Sequence, residues 1–229
     1  MTTSGSIAST LLASEVIKSS MQELGVLAAG ENPTAEDLTL GLRSLNFLLK
    51  SWAARGLTSW RDQDGTLTVA AGTREAPLAP YCLDVTEARV VQATNYERPL
   101  QRWELAQYRQ LPNKATPGFP TSYTVQKTAD GIALLLWPVP SVSTTILYSY
   151  TRIIEDVTDG DQTLDLPQEW LEAVYVALAA RLAQPMGVTR LDPATAQIVI
   201  QRALSLENEL FDADRPTSIY MGSAYGRNF

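Results

Sequence analysis

Apolar positions recur at helical spacing at both ends of this chain and alternate through its middle. Over residues 6–24, Ile7, Leu11, Ala13, Ile17, Met21 and Leu24 mark one stripe and predict a first helix that stops at Gly25. A stronger stripe follows, in which Leu38, Leu42, Leu45, Leu49 and Trp52 share a face that Phe47 and Leu48 widen. Thr34 is placed to cap this second helix, with Asp37 three residues on as its capping-box partner. Gly56 supplies the residue type that a left-handed closing turn needs.

The period then changes to two. Strands are expected over 66–70, 81–85, 88–95, 122–127, 132–137 and 144–151. Turn signals fall at 71–72, 95–99, 129–131 and 138–140, and the Asp130-Gly131 pair predicts a hairpin. A short helix over 103–111, stopped by Pro112, interrupts the strands. Pro167 suits the first turn of a third long helix. Its Trp170, Leu171, Val174, Tyr175, Leu178 and Leu182, with alanines between, make it apolar on most sides, as in a helix buried within the monomer or between subunits. Gln184-Pro185 and Gly187 end it. Asp192-Pro193 reads as cap and first position of a last helix, with Ala196, Val199, Ile200, Ala203, Leu206 and Leu210 on one face and Phe211 near its end. Arg215-Pro216 stops it.

The expected fold is α+β: a helical bundle from the N- and C-terminal helices, an inserted antiparallel β-sandwich or barrel, and an extended C-terminal tail. The expected divisions are 1–57 and 166–214 for the two halves of the helical core, 58–165 for the β-rich insertion, and 215–229 for the tail.

Composition narrows the function by exclusion. The 229 residues are 45% hydrophobic and 19% charged, which suits a globular chain with an ordinary core. A net charge of -7 argues against binding nucleic acid on an open surface, which takes clustered Lys and Arg. There is no histidine, so Ser-His-Asp, Cys-His and HExxH chemistry is excluded. The one cysteine, Cys82, lies between Tyr81 and Leu83 and reads as a small buried hydrophobe. The N-terminus lacks the pattern of a signal peptide, and no apolar run approaches the roughly 18 residues that span a membrane. A soluble protein made in the cytoplasm is expected.

Candidate chemistry is sparse. Glu155, Asp156, Asp159, Asp161 and Asp165 form an acidic run, but the register and closing Glu of a calcium loop are missing, so a solvated loop is expected. Asp62 and Asp64 are a carboxylate pair at a commonplace spacing. Phosphate-cradling glycine motifs are absent. Trp52 and Trp170 fall at core-facing helical positions, whereas Trp60 and Trp137 leave core, subunit interface and ligand contact open. No catalytic, cofactor or metal residue is assigned. The last stretch differs: PTSIYMGSAYGRNF carries Ile219, Tyr220, Met221, Tyr225 and Phe229 without a helical or strand period. Bulky anchors on an extended segment suit one that orders on a partner.

Three blocks carry a resemblance. They are NPTAEDLTLGLRSLNFLLKSWAARGLTSW at 32–60, LPNKATPGFPTSYTVQKTADGIALLLWPVP at 111–140, and LDLPQEWLEAVYVALAARLAQPMGV at 164–188. In order and spacing they resemble the head-to-tail adaptor (tail accessory factor) family of tailed bacteriophages, chiefly short-tailed ones. The resemblance covers most of the chain except the tail. It implies a helical core with a β-rich insertion and no catalytic motif. It also implies a virion protein at the head-tail junction, assembled in the host cytoplasm into a ring, usually of twelve subunits. Such a ring sits beneath the portal protein, extends the DNA channel and offers a platform to a tail nozzle or hub and to fibres. In relatives a C-terminal extension docks into the portal, the role expected of Ile219, Tyr220, Met221, Tyr225 and Phe229. Two alternatives remain: an envelope carbohydrate-binding or hydrolytic tail module, and another connector such as a head-completion or tail-terminator protein.

Overall fold

The computed structural model describes residues 11–56, 60–93, 96–128 and 131–214. The chain divides into two compact units, with the boundaries between Leu48 and Leu49 and between Asp156 and Val157. The chain is α+β, and its strands form open sheets with no closed barrel.

The unit formed by residues 1–48 and 157–229, outer in the order of the sequence, is helical in its described residues. Its first helix, α1 (Ala13–Glu23), starts later than the apolar stripe suggests. The cause is non-local. The Ala13 and Ser14 N–H groups donate to the Gln162 and Gly160 carbonyls, each at 2.9 Å, and Leu12 bridges to Thr163. The acidic loop thus supplies the acceptors that free helical N–H groups require. Residues 6–10 of the expected helix lie outside the described residues.

The helix α2 (Ala35–Ala54) starts where the capping box places it. Thr34 Oγ1 accepts from the Asp37 N–H at 3.2 Å, and the Asp37 carboxylate accepts from the Thr34 N–H at 3.1 Å. At its far end, Gly56 has φ +98°. Leu45, Leu48, Leu49 and Trp52 are buried as expected, but Phe47 is 62% exposed and does not widen the face. Position 47 turns away because Leu45, Leu48 and Leu49 already occupy the buried stripe.

A single 3-10 turn at Gln168–Trp170 leads into α4 (Leu171–Leu182), the helix that packs against both α1 and α6 (Pro193–Asp214). Helices on two sides explain its lack of a polar face: Ala173, Val174, Val176, Ala177, Leu178, Ala179 and Leu182 are all buried. Gly187, at φ +76°, turns the chain into a short helix, α5 (Val188–Leu191), that has no counterpart in the apolar pattern. Asp192 then caps α6, its carboxylate accepting from the Thr195 N–H at 3.1 Å.

The unit formed by Leu49–Asp156, inner in the order of the sequence, is mostly β. One sheet has the order β1 (Asp62–Val69), β10 (Thr144–Arg152), β3 (Cys82–Ala93), β4 (Tyr96–Pro99). The other has the order β2 (Glu75–Pro77), β8 (Gly131–Trp137), β7 (Ser122–Thr128), β5 (Gln101–Arg102). A small parallel pair joins β6 (Pro117–Gly118) to β9 (Val139–Pro140). A short helix, α3 (Leu105–Arg109), lies within the expected 103–111. Both large sheets feed one apolar cluster: Val85, Val90, Ile146 and Tyr148 from the first, and Tyr123, Leu134 and Leu136 from the second.

Three expectations change here. The strands expected at 81–85 and 88–95 merge into β3 (Cys82–Ala93), because bulges at Leu83 and Thr86 absorb residues that looked like a break, and residues 94–95 lie outside the described residues. The 95–99 turn signal is mostly strand β4. The sheets are not purely antiparallel, since β5 pairs with β7 in parallel.

Candidate assembly surfaces

The residues that could have carried chemistry are tied into the scaffold. Asp62 accepts from Thr151 Oγ1 at 2.7 Å and Asp64 from Ser149 Oγ at 2.6 Å, each across the β1–β10 pair. They bind neighbouring hydroxyls and are exposed. In the acidic run, Asp156 pairs with Lys50 at 2.7 Å, while Gly160 and Gln162 hold the start of α1. Among the described residues no group of Cys, Asp or Glu could hold a metal ion.

Cys82 is 5% exposed. Burial, with the nearby Asp84 charge adding to it, pushes its thiol up to about 11. The thiolate that reactivity requires is therefore suppressed at neutral pH. Tyr150 is pushed up to about 12, first by burial and then by its neighbour Tyr81.

Trp52 and Trp170 are buried. Trp137 is half-buried; its indole N–H donates to the Asn113 carbonyl at 3.3 Å, and its ring lies 5.3 Å from that of Trp103. That contact fixes the 111–121 loop against β8 and accounts for Trp137 within one subunit. A shallow groove of about 720 Å³ runs past Thr73, Arg74, Glu75, Pro117 and Pro140. It contains one acid and one base and no paired carboxylates.

The side chains that organise the scaffold were not singled out for that role by the local sequence pattern. Asn46 clasps the peptide of Val157, donating from Nδ2 to its carbonyl at 2.7 Å and accepting its N–H at 2.9 Å. Arg202 reaches from α6 to Glu23 of α1 at 2.6 Å and to Glu172 of α4 at 2.7 Å. Arg61 is 1% exposed and donates to the Arg152 and Ala53 carbonyls. Exposed apolar residues remain on the outer unit at Phe47, Leu191 and Ile198. The expected docking residues Ile219, Tyr220, Met221, Tyr225 and Phe229 lie outside the described residues.

Comparison with known families gives the class of the chain. The family model of the SU10 adaptor protein matches residues 12–222, and the chain belongs to that family. The match runs past the end of α6 and takes in Ile219, Tyr220 and Met221, leaving Tyr225 and Phe229 beyond it. No curated protein matches. One solved structure with some similarity is titled "Neck of empty GTA particle computed with C6 symmetry". It is 16% identical over 72% of this chain and 77% of its own, with a TM-score of 0.27, too low to carry an argument. Among the described residues no helix is long and apolar enough to cross a membrane.

Proposed function

We propose that this chain is a non-enzymatic virion protein whose copies form a ring joining the portal to the tail at the head-tail junction. The observation that carries this reading is the adaptor-family match, which spans both compact units. The fold is consistent with it: tightly cross-tied helices make a stiff frame, as a load-transmitting ring needs. Twelve subunits is the copy number the resemblance implies. The ring extends the DNA channel, and a net charge of -7 suits a wall that repels phosphate and lets the genome slide. Its distal face is a platform for later tail components.

In this account the tail makes the link to the portal, with Ile219, Tyr220, Met221, Tyr225 and Phe229 as anchors. A segment that orders on its partner loses conformational entropy at that moment, which couples docking to the arrival of the portal. The test is a chain truncated at Arg215. It is expected to keep its circular dichroism spectrum and melting temperature and to lose binding to the portal of the same phage. Undiminished portal binding by a folded truncation would overturn the docking role.

A further inference from the structure

The two large sheets have four edge strands, and three of them are blunted. β2 has three residues and ends in Pro77, β4 has four and ends in Pro99, and β5 has two. β1 differs. It has eight residues, and its ladder with β10 runs without a bulge from Asp62↔Thr151 to Val69↔Thr144. It contains no Lys or Pro, and no strand covers its outer edge among the described residues. Edges of this length are usually guarded by charged side chains, lysine above all, by proline, by a bulge or by a covering element. The only charges on β1 are Asp62 and Asp64, which repel a strand that sets acid against them and admit one that sets hydroxyls against them.

The residues of β1 indicate which strand. On one face of β1, Asp62, Asp64, Thr66 and Thr68 are exposed and set symmetrically about Gly65; Gln63, also exposed, belongs to the other face, where its Oε1 accepts from the Tyr150 hydroxyl at 3.1 Å. When two copies of β1 lie antiparallel about a two-fold axis at Gly65, Asp64 faces Thr66 and Asp62 faces Thr68, each twice. The same carboxylate–hydroxyl pairing already occurs on the strand's inner side, with Ser149 and Thr151. Each carboxylate has a second oxygen for a second donor. At the axis, glycine meets glycine beside the Tyr148 ring, which fills the space a Cβ at Gly65 would need, its nearest atom lying at 2.5 Å. Sliding the pair by two residues toward the N-termini sets Asp64 against Asp64, and that repulsion opposes the slip.

We infer that a second copy of this chain docks on the β1 edge, joining two four-stranded sheets into one continuous sheet. Such a contact is isologous, so it pairs subunits and does not by itself propagate a ring. It is separate from the portal link made by the tail.

Sedimentation velocity of the full chain, from low micromolar to several hundred micromolar, tests it. The wild type is expected to show a concentration-dependent dimer. The variant T66D/T68D places acid against acid at all four positions and should weaken dimerisation by at least about tenfold. The variant D62T/D64T presents only threonines, so an equimolar mixture of the two should give a heterodimer by native mass spectrometry. A wild type that stays monomeric, a T66D/T68D dimer as tight as wild type, or a mixture without heterodimer overturns the inference. Hydrogen exchange on the wild type keeps the test independent of variant folding. Amides of β1 should gain protection as the concentration rises, and unchanged exchange there contradicts the pairing.

Discussion

Asn46 shows what one side chain can hold. It satisfies both backbone groups of Val157, 111 residues away, at the point where the chain returns to the outer unit. Asn46→Ala leaves a half-buried N–H and C=O without their partner and should cost about 1–3 kcal/mol, read from urea unfolding. Asn46→Asp keeps the acceptor but loses the donor and should fall between. Equal stability of all three proteins would show the clasp to be incidental. Cys82 gives a pH signature. Its thiol is raised from 9.0 to about 11 in the fold, so its contribution to stability is complete below pH 9 and is lost as pH rises toward 11. Tyr123, Tyr148 and Tyr150 are also raised from 10.0, chiefly by burial, and add their own losses higher in the range. Cys82→Ala should therefore flatten the stability–pH curve between pH 9 and 10, where the thiol dominates. The two kinds of residue differ in legibility. Thr34 and Asp37 were readable because a capping box closes over three residues. Asn46 was visible as a polar position in the apolar helix of the 32–60 block, but its clasp of Val157 was not, because that partner is fixed by tertiary structure.

Among elements, the contact of α1 with α2 is set by a missing side chain. A Cβ on Gly41 would lie 2.6 Å from Cγ2 of Ile17, which is itself fully buried. Gly→Ala in a helix interior ordinarily gains about 1 kcal/mol. Here overpacking should outweigh that gain, for a net loss of about 1–2 kcal/mol. In a double-mutant cycle, Gly41→Ala should cost less when Ile17 is already alanine, and strict additivity would refute the clash. Arg202 links three helices, but its side chain is 41% exposed, so water screens both ion pairs. Arg202→Met should cost less than about 1 kcal/mol in the same unfolding assay. Element type was largely legible from periodicity, while ends and breaks were less so. The start of α1 depends on carbonyls from the 157–163 loop. The joining of 81–85 to 88–95 depends on bulges that only a paired strand, β10, reveals.

For the whole molecule, the sequence has no histidine and one cysteine, which is buried. Of the acids weighed for chemistry, Asp62 and Asp64 bond hydroxyls across β1 and β10 and Asp156 pairs with Lys50. The three sequence blocks that resemble adaptors all fall inside the family match at 12–222. What the sequence left dark is the geometry of association, because contacts between copies leave no period along one chain. The long, unpaired edge of β1 became visible only once its neighbours in the sheet were known. Assembly on a portal is the property on which the proposed role depends. It is read from mass measurement of the purified protein, alone and mixed with portal rings of the same phage. Alone, the chain is expected as monomer, or dimer at high concentration; mixed, as a stoichiometric ring of copies on each portal. A portal whose mass stays unchanged at every ratio would rule that role out.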